Sequence, residues 1–558
     1  MRLHNRTIQD LFVIGIFALC VGFAYRYLPQ MYFSHDEWRQ LAGVLINGIW
    51  NGLSSIPIPN LLFGNRRALG FIINSAILYF FPFKSYPFIV LFYVGHAANA
   101  FLLYRLVSRL AKNRGIGFVA ALFFAIASRH QQALTWIGAG VEAIGSLFFL
   151  LLALNVYVAY WEQHSAKKLI LSALLLYISY LFKEDVLFIP IVVTIAFVSP
   201  YSAARKHVKL AVLLLSTLLG TIGIFPALRL FGSYTTNPQG FTGTAIVLKQ
   251  LLNIVFYPLV SLGQYFLPYR FVYKAADWVL REWYPFMNTG GNMETLLHFP
   301  LADMVSLIAS FIVATLFGIV AVRDKKHRPL ILMASVYYIA SFFPIAFHLI
   351  HRYDSYIESR YMYVITPAVA VLFACCVYYA WMLCKKQKKY AVIGKALLVC
   401  IVGIYLFKEA TVTQREVKVY AIQGNEMTGF MRAMQTALPK VPKHMVLLIE
   451  GDRTYYYDYN SLPFLLGAGY IVGIIYYPGG TIPPNMLQKE TLIGFGSQGV
   501  VNDGKKLFGY YWNRNDLKRD LQTKHEFSSD QVMAFTFTST TNTITDETKQ
   551  IRDFLDSP

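Results

Sequence analysis

Long apolar runs separated by short clusters of basic residues dominate the chain, and no other feature limits its folding more. A helix rises about 1.5 Å per residue, so about 20 consecutive apolar residues cross the hydrocarbon of a bilayer. Several runs approach or exceed that length, beginning with residues 11–25 behind a basic start at Arg2 and Arg6. Of 558 residues, 56% are hydrophobic and only 14% charged, too few charges to coat a water-soluble globule. The stretch YRYLPQMYF after the first run offers no small-residue cleavage site, so that run is expected to remain as a first span. The five cysteines (Cys20, Cys375, Cys376, Cys384 and Cys400) fall in or beside apolar runs, with no CxxC pattern among them.

The net charge of +20 would suit a polyanionic partner, but its distribution argues against nucleic acid. The basic residues collect between apolar runs, at Arg109/Lys112/Arg114, Lys167/Lys168, Arg205/Lys206/Lys209, Arg323/Lys325/Lys326/Arg328 and Lys385/Lys386/Lys388/Lys389. Short basic loops mark the cytoplasmic side of a membrane. With those clusters inside, the chain threads as about eleven spans, near 9–28, 86–107, 115–128, 138–160, 168–182, 186–200, 209–231, 301–322, 329–349, 361–383 and 391–408. The N-terminus is then cytoplasmic, and residues 409–558 lie outside. The threading requires the apolar segments 68–83 and 245–268 to be interfacial helices in the outer loops 29–85 and 232–300, because a single crossing by either would invert the clusters after it.

This topology gathers four polar groups on the outer face. The first loop holds YFSHDEWRQL, with His35, Asp36 and Glu37, and later Arg66 and Arg67. The turn SRHQQALTWIGAGVEA brings Arg129, His130, Trp136 and Glu142; LFKEDVLF brings Lys183, Glu184 and Asp185. The segment HRYDSYIESRYMY carries His351, Arg352, Asp354, Glu358, Arg360 and Tyr361. Any one of these alone suits a wetted helix end. Glu142 and the Lys183–Asp185 triplet stand out, since ionisable groups in hydrocarbon are expensive, although Lys183 beside Glu184 also suits a structural ion pair.

These stretches resemble the GT-C superfamily, multi-span glycosyltransferases that take a sugar from a polyprenyl phosphate on the outer or lumenal membrane face. HDEW, shortly after the first span, is similar to the acidic pair of lipid A aminoarabinose transferases and, without its proline, to that of GPI-anchor mannosyltransferases. NRRALGFIINSAILYFFPFKSYPFIVLFYVGHAANAFLLYRL looks like the long loop and second span of the tetratricopeptide-bearing O-mannosyltransferases, with His96, Asn99 and Tyr104 in place. Glu142 falls at the acidic position of their third-to-fourth-span turn, SYLFKEDVLFIPIV is similar to their SKE hairpin, and ESRYMYVITPAVAVL to the RY start of a late span. The likeness covers about residues 10–200 and 355–372. No tetratricopeptide array follows the last span, so acceptor specificity does not carry over. The resemblance implies inversion at the anomeric carbon.

Such a transfer needs a base for the acceptor proton and a cationic site for the phosphate; the leaving phosphate is already a stable anion. Asp36 is the candidate base, with Glu37 or Glu142 assisting. Arg360 is the candidate phosphate ligand, because guanidinium bonds phosphate oxygens in pairs, and Lys183, Arg66 and Arg129 are alternatives. Glu184 and Tyr361 join the substrate-binding set. His130 would position the donor phosphate or bond locally, and Trp136 would stack on a sugar or belong to the interfacial aromatic belt. A divalent cation on Asp36, Glu37 and Glu142 stays open without a supporting ligand count.

The sequence lacks HExxH, GxSxG and a Walker lysine, and GYIVGIIYYPGG is expected to be strand and turn. In the tail, HMVLLIE, YIVGIIYY, LFGYYW and VMAFTFTS are expected strands, preceded by a helix with Met427, Phe430, Met431 and Met434 on one face. The expected architecture is therefore a polytopic α-helical GT-C-like domain over 1–408 and an extracytoplasmic α/β or α+β domain over 409–558. The expected partners are a polyprenyl-phosphate sugar donor, membrane lipid, and a glycan, lipid or protein acceptor. The expected location is a bacterial inner membrane, the endoplasmic reticulum fitting equally. A transporter or flippase of a lipid-linked saccharide, or a non-catalytic scaffold, is the competing reading. The one-sided clustering of acidic groups and the lack of inverted-repeat hydropathy count against transport.

Overall fold

The computed structural model describes residues 2–33, 36–50, 67–186, 244–267, 271–272, 274–276, 278, 292–348, 357, 359–386, 390–451, 468–479, 482 and 498–557. The membrane part begins with α1 (Arg2–Ala24), α2 (Asp36–Asn47), α3 (Ala68–Phe80), α4 (Tyr86–Ala111), α5 (Arg114–Ile126), the short α6 (Gln132–Thr135), α7 (Ile137–Gln163) and α8 (Ala166–Phe182). It continues with α9 (Thr244–Phe266), α10 (Asn292–Arg323), α11 (Arg328–His348), α12 (Thr366–Lys386) and α13 (Ala391–Ala437). Among the described residues, six helices are long and apolar enough to cross a membrane: α4, α7, α10, α11, α12 and α13. α1, α5 and α9 contain shorter apolar stretches, and the expected spans 186–200 and 209–231 lie outside the described residues but for Val186. Side chains such as Phe12, Phe311, Val392 and Ile404 stay exposed, as apolar residues do where lipid is the solvent.

The helix hairpins have local causes. Lys112 adopts a left-handed conformation (φ 49°) that ends α4, and the next residue, Asn113, caps α5 by accepting the N–H groups of Gly115 and Ile116. A Cβ on Gly117 would lie 2.7 Å from the Tyr104 carbonyl oxygen, so only glycine lets α4 and α5 lie this close. α4 is tied to α7 by Asn99, which donates to the Ile144 carbonyl (3.1 Å), and by Asn155, which donates to that of Leu102 (3.1 Å). Such amide bonds supply an attraction that apolar contact alone does not provide in lipid.

The segment expected to lie along the outer surface, 245–268, forms α9 and is built into the bundle. The Gly263 N–H donates to Ser310 on α10, and Tyr338 on α11 donates to the Pro258 carbonyl (2.7 Å). The other such segment forms α3, which leans on α2, α7 and α8.

α13 is one helix of 47 residues, about 70 Å long. Its first half carries exposed apolar residues, whereas its second half buries Met427, Phe430, Met431 and Met434, as their spacing predicts. The expected boundary at 408/409 therefore falls inside a continuous rod. The tail domain is a five-stranded mixed sheet of order β2-β3-β1-β4-β5, from β1 (His444–Gly451), β2 (Gly499–Asn502), β3 (Leu507–Tyr511), β4 (Val532–Thr538) and β5 (Thr543–Asp546). β1 runs parallel to both β3 and β4, and its residues 445–449 are buried on both faces. α15 (Arg514–Lys524) and α16 (Thr548–Asp556) cover one face. α13 and α14 (Ala468–Tyr476) cover the other. α14 corrects an expectation: YIVGIIYY is helix, followed by a 3-10 turn at Tyr477–Gly479. A short run that is apolar throughout has no periodicity to separate the two states, and here tertiary packing decides. The Tyr476 hydroxyl donates to the Leu438 carbonyl (2.7 Å), docking α14 on the end of α13.

Candidate active site

Five segments far apart in sequence meet at one end of α7. Trp136 is extended and precedes the first turn of α7, whose leading N–H groups lack intrahelical acceptors. One of these, on Gly138, donates to Glu37 Oε1 at 3.0 Å, so Glu37 caps α7 from another helix, where the helix dipole favours a carboxylate. Asn74 of α3 donates to the Gly138 carbonyl (3.0 Å). Glu142 follows one turn later and is buried.

At the end of α8, Lys183 leaves the helix extended and Glu184–Val186 form a 3-10 turn. The Lys183 and Asp185 side chains, both buried, pair at 2.6 Å. Arg67, just before α3, connects the two acidic segments. Its Nε and Nη2 fork onto Glu184 (3.0 and 2.8 Å), and Nη1 donates to Glu142 (3.0 Å). Gly70, one turn further, permits this approach: a Cβ there would lie 2.7 Å from Glu142 Cγ.

The fifth segment is the 3-10 turn Ser359–Met362. The Arg360 guanidinium lies 3.9 Å from the Trp136 ring centroid and 5.1 Å from that of Tyr361, whose ring also faces Lys183 Nζ at 4.7 Å. Stacking on an aromatic face leaves the in-plane N–H groups of a guanidinium directed at its rim.

Glu37, Glu142, Lys183, Glu184, Trp136, Arg360 and Tyr361 thus come together. Two others of the expected set face elsewhere. The Arg129 guanidinium donates to Gln264 on α9 (2.7 Å), which makes it part of the seam between α9 and the turn. His130 is fully buried, bonded to Thr366 (3.1 Å) and packed on Phe124 and His96. Burial, and then His96, hold its pKa well below the ordinary histidine range, so it is a neutral strut behind the site. Asp36 is the first residue of α2 while its side chain, like His35, Arg66, His351, Arg352, Asp354 and Glu358, lies outside the described residues. A cation shared by Asp36, Glu37 and Glu142 would compete with the Gly138 N–H for Glu37 and with Arg67 for Glu142.

Sequence reasoning named Arg67 only as a neighbour of Arg66 and passed over Gln132 and Ser359. Gln132 donates its backbone N–H to Ser359 Oγ (3.1 Å) and its amide oxygen accepts from the Arg360 N–H (3.4 Å). A cavity of about 40 Å³ between α4, α7, α11 and α12 is lined almost wholly by apolar side chains and holds none of these groups.

No protein-family model matches the chain. No curated protein matches it in sequence. Among solved structures it is similar to the Archaeoglobus fulgidus oligosaccharyltransferase in its apo form, with 13% identity and a TM-score of 0.44, over 84% of this chain and 63% of that one. The archaeal oligosaccharyltransferase AglB from the same organism, in complex with an inhibitory peptide and a dolichol-phosphate, gives 13% identity and 0.43, over 84% and 64%. ArnT from Cupriavidus metallidurans bound to undecaprenyl phosphate gives 12% identity and 0.37, over 88% and 93%. The chain thus spans less than two thirds of the length of the archaeal protein.

Proposed function

We propose that the chain is an integral-membrane glycosyltransferase of the GT-C type, which moves a hexosyl or pentosyl group from a polyprenyl phosphate to a glycan, lipid or protein acceptor on the outer or lumenal face. One observation carries this reading: carboxylates and cations from five distant segments converge at the ends of apolar helices, where scattered wet helix ends would have no reason to meet.

The roles follow from position. Glu37 caps α7 at Gly138, which puts the first turn of α2, and Asp36 with it, at the end of α7, about 6 Å along the axis from Glu142. Asp36 is the general base that takes the acceptor proton, attack on the anomeric carbon inverts it, and the phosphate leaves as an anion. Arg360, flattened on Trp136, binds that phosphate through its rim N–H groups, with Lys183 and Tyr361 beside it. Glu142 and Glu184, held by Arg67, orient the sugar or acceptor hydroxyls. The N-terminus is cytoplasmic and the sheet domain extracytoplasmic, in a bacterial inner membrane.

The test is transfer from a radiolabelled polyprenyl-phosphate hexose by protein in nanodiscs. Asp36→Asn is expected to express and fold normally and to give no glycan product. Product formation at the wild-type rate by Asp36→Asn would overturn the mechanism.

A further inference from the structure

Gln132 makes four hydrogen bonds, which reach three segments: its own helix end, the Ser359–Met362 turn and α13. Its carbonyl accepts from the Trp136 N–H (2.9 Å), and its backbone N–H donates to Ser359 (3.1 Å). Its amide oxygen accepts from the Arg360 N–H (3.4 Å). Its amide nitrogen donates to the Tyr420 hydroxyl on α13 (3.0 Å). The residue's backbone therefore holds the Trp136 and Ser359 segments, while its side chain holds the backbone from which the Arg360 guanidinium extends and ties it to α13.

Tyr420 is not an isolated contact. Glu409, Thr413, Tyr420 and Gly424 recur at helical spacing along one face of α13. Glu409 accepts from the Ser128 N–H (3.3 Å) and hydroxyl (2.8 Å), and Thr413 donates to the Ile126 carbonyl (2.8 Å). A Cβ on Gly424 would lie 2.6 Å from the Gln30 carbonyl oxygen, so the helix also rests against the start of the loop that leads to Asp36. Further along, the same rod buries Phe430 against Phe537 of the sheet, with ring centroids 5.2 Å apart. No proline interrupts this helix from Ala391 to Ala437, so a shift at one end is passed along it with few places to be absorbed.

We infer that Gln132 is a positioning residue for Arg360, and that through Tyr420 the long helix of the C-terminal domain sets the phosphate-binding geometry in the membrane domain. The inference rests on the phosphate role proposed for Arg360. The Gln132 amide is the joint, since it bonds both to the Arg360 segment and to α13. The C-terminal domain then acts as a buttress for the site.

The experiment measures the affinity of the full-length protein in nanodiscs for undecaprenyl phosphate, with melting temperature followed in parallel. Tyr420→Phe removes only the hydroxyl that Gln132 holds, and Gln132→Met removes the side-chain bonds to Tyr420 and Arg360 while leaving the backbone bonds to Ser359 and Trp136. Each is expected to weaken binding roughly three- to tenfold at an unchanged melting temperature, the loss typical of one hydrogen bond. On an Arg360→Ala background, where residual binding comes from the apolar chain, neither change is expected to matter further. Equal weakening on both backgrounds, or none on either while Arg360→Ala still weakens binding, overturns the positioning role and leaves the phosphate assignment standing. Wild-type affinity in Arg360→Ala overturns the phosphate assignment, and the inference with it.

Discussion

Arg67 donates from Nη1 to Oε2 of Glu142 at 3.0 Å, and the other edge of the same guanidinium forks onto Glu184. One cation thus fixes a carboxylate on α7 and one in the turn that follows α8. Arg67→Ala is expected to cost about 1–2 kcal/mol of stability, less than a fully buried pair because Arg67 is partly exposed, and to lower transfer about 100-fold. Arg67→Lys should behave nearly as badly, since an ammonium cannot reproduce a fork plus a third bond. Transfer by Arg67→Lys within twofold of the wild-type rate would show that a point charge suffices and would remove the orienting role.

Glu37 has a job that is visible without any substrate, capping α7 through Gly138. Glu37→Gln retains an acceptor oxygen and is expected to melt within about 0.5 kcal/mol of wild type, whereas Glu37→Ala loses about 1 kcal/mol. Thermal unfolding in detergent measures both. Equal stability of Glu37→Ala and wild type would mean that the cap contributes nothing, and that the carboxylate is held there for chemistry alone.

The membrane class, the spans expected near 86–107 and 138–160 and the buried face of Met427, Phe430 and Met434 were legible because composition and periodicity encode burial directly. The strand expected at YIVGIIYY was not, because an unbroken apolar run carries no period and its helical state is set by docking on α13. The site was legible in its acidic groups, which are conspicuous in apolar surroundings. The part of Arg67 was not, since adjacent arginines carry the same local signal and only tertiary geometry shows Arg67 facing Glu142 and Glu184, while Arg66 lies outside the described residues. Gln132 and Tyr420 left no signal, being ordinary residues whose role arises from a pairing 288 positions apart. Continuity of α13 from the membrane into the sheet domain was likewise hidden, because the hydropathy change at residue 408 resembles a domain boundary whether or not the helix stops there.

Gly424 marks where α13 touches the first outer loop. A side chain there would lie 2.6 Å from the Gln30 carbonyl oxygen and 2.7 Å from the Tyr32 nitrogen, both backbone atoms that cannot swing aside. Gly424→Val is expected to push this loop, and α2 with it, away from the site. Transfer should fall at least tenfold and by more than undecaprenyl phosphate binding, which α13 reaches only through Tyr420 and Gln132. Parallel loss of both would indicate general disruption of the bundle instead of a local displacement of the acidic pair.

His130 gives the fold a dependence on pH. Burial first, and the neighbouring His96 second, hold its imidazole neutral with a pKa well below the ordinary value of about 6.5. The unfolded chain therefore binds a proton that the folded one refuses, and stability must fall as pH drops below about 6.5. Above that value neither state is protonated at this position and the contribution is flat. The melting temperature in detergent should accordingly decline between pH 7.5 and pH 5.5, and His130→Asn, which keeps a polar group opposite Thr366, should decline less over the same interval. Identical slopes for the two proteins would place the acid sensitivity in other groups and show that His130 takes up no extra proton on unfolding.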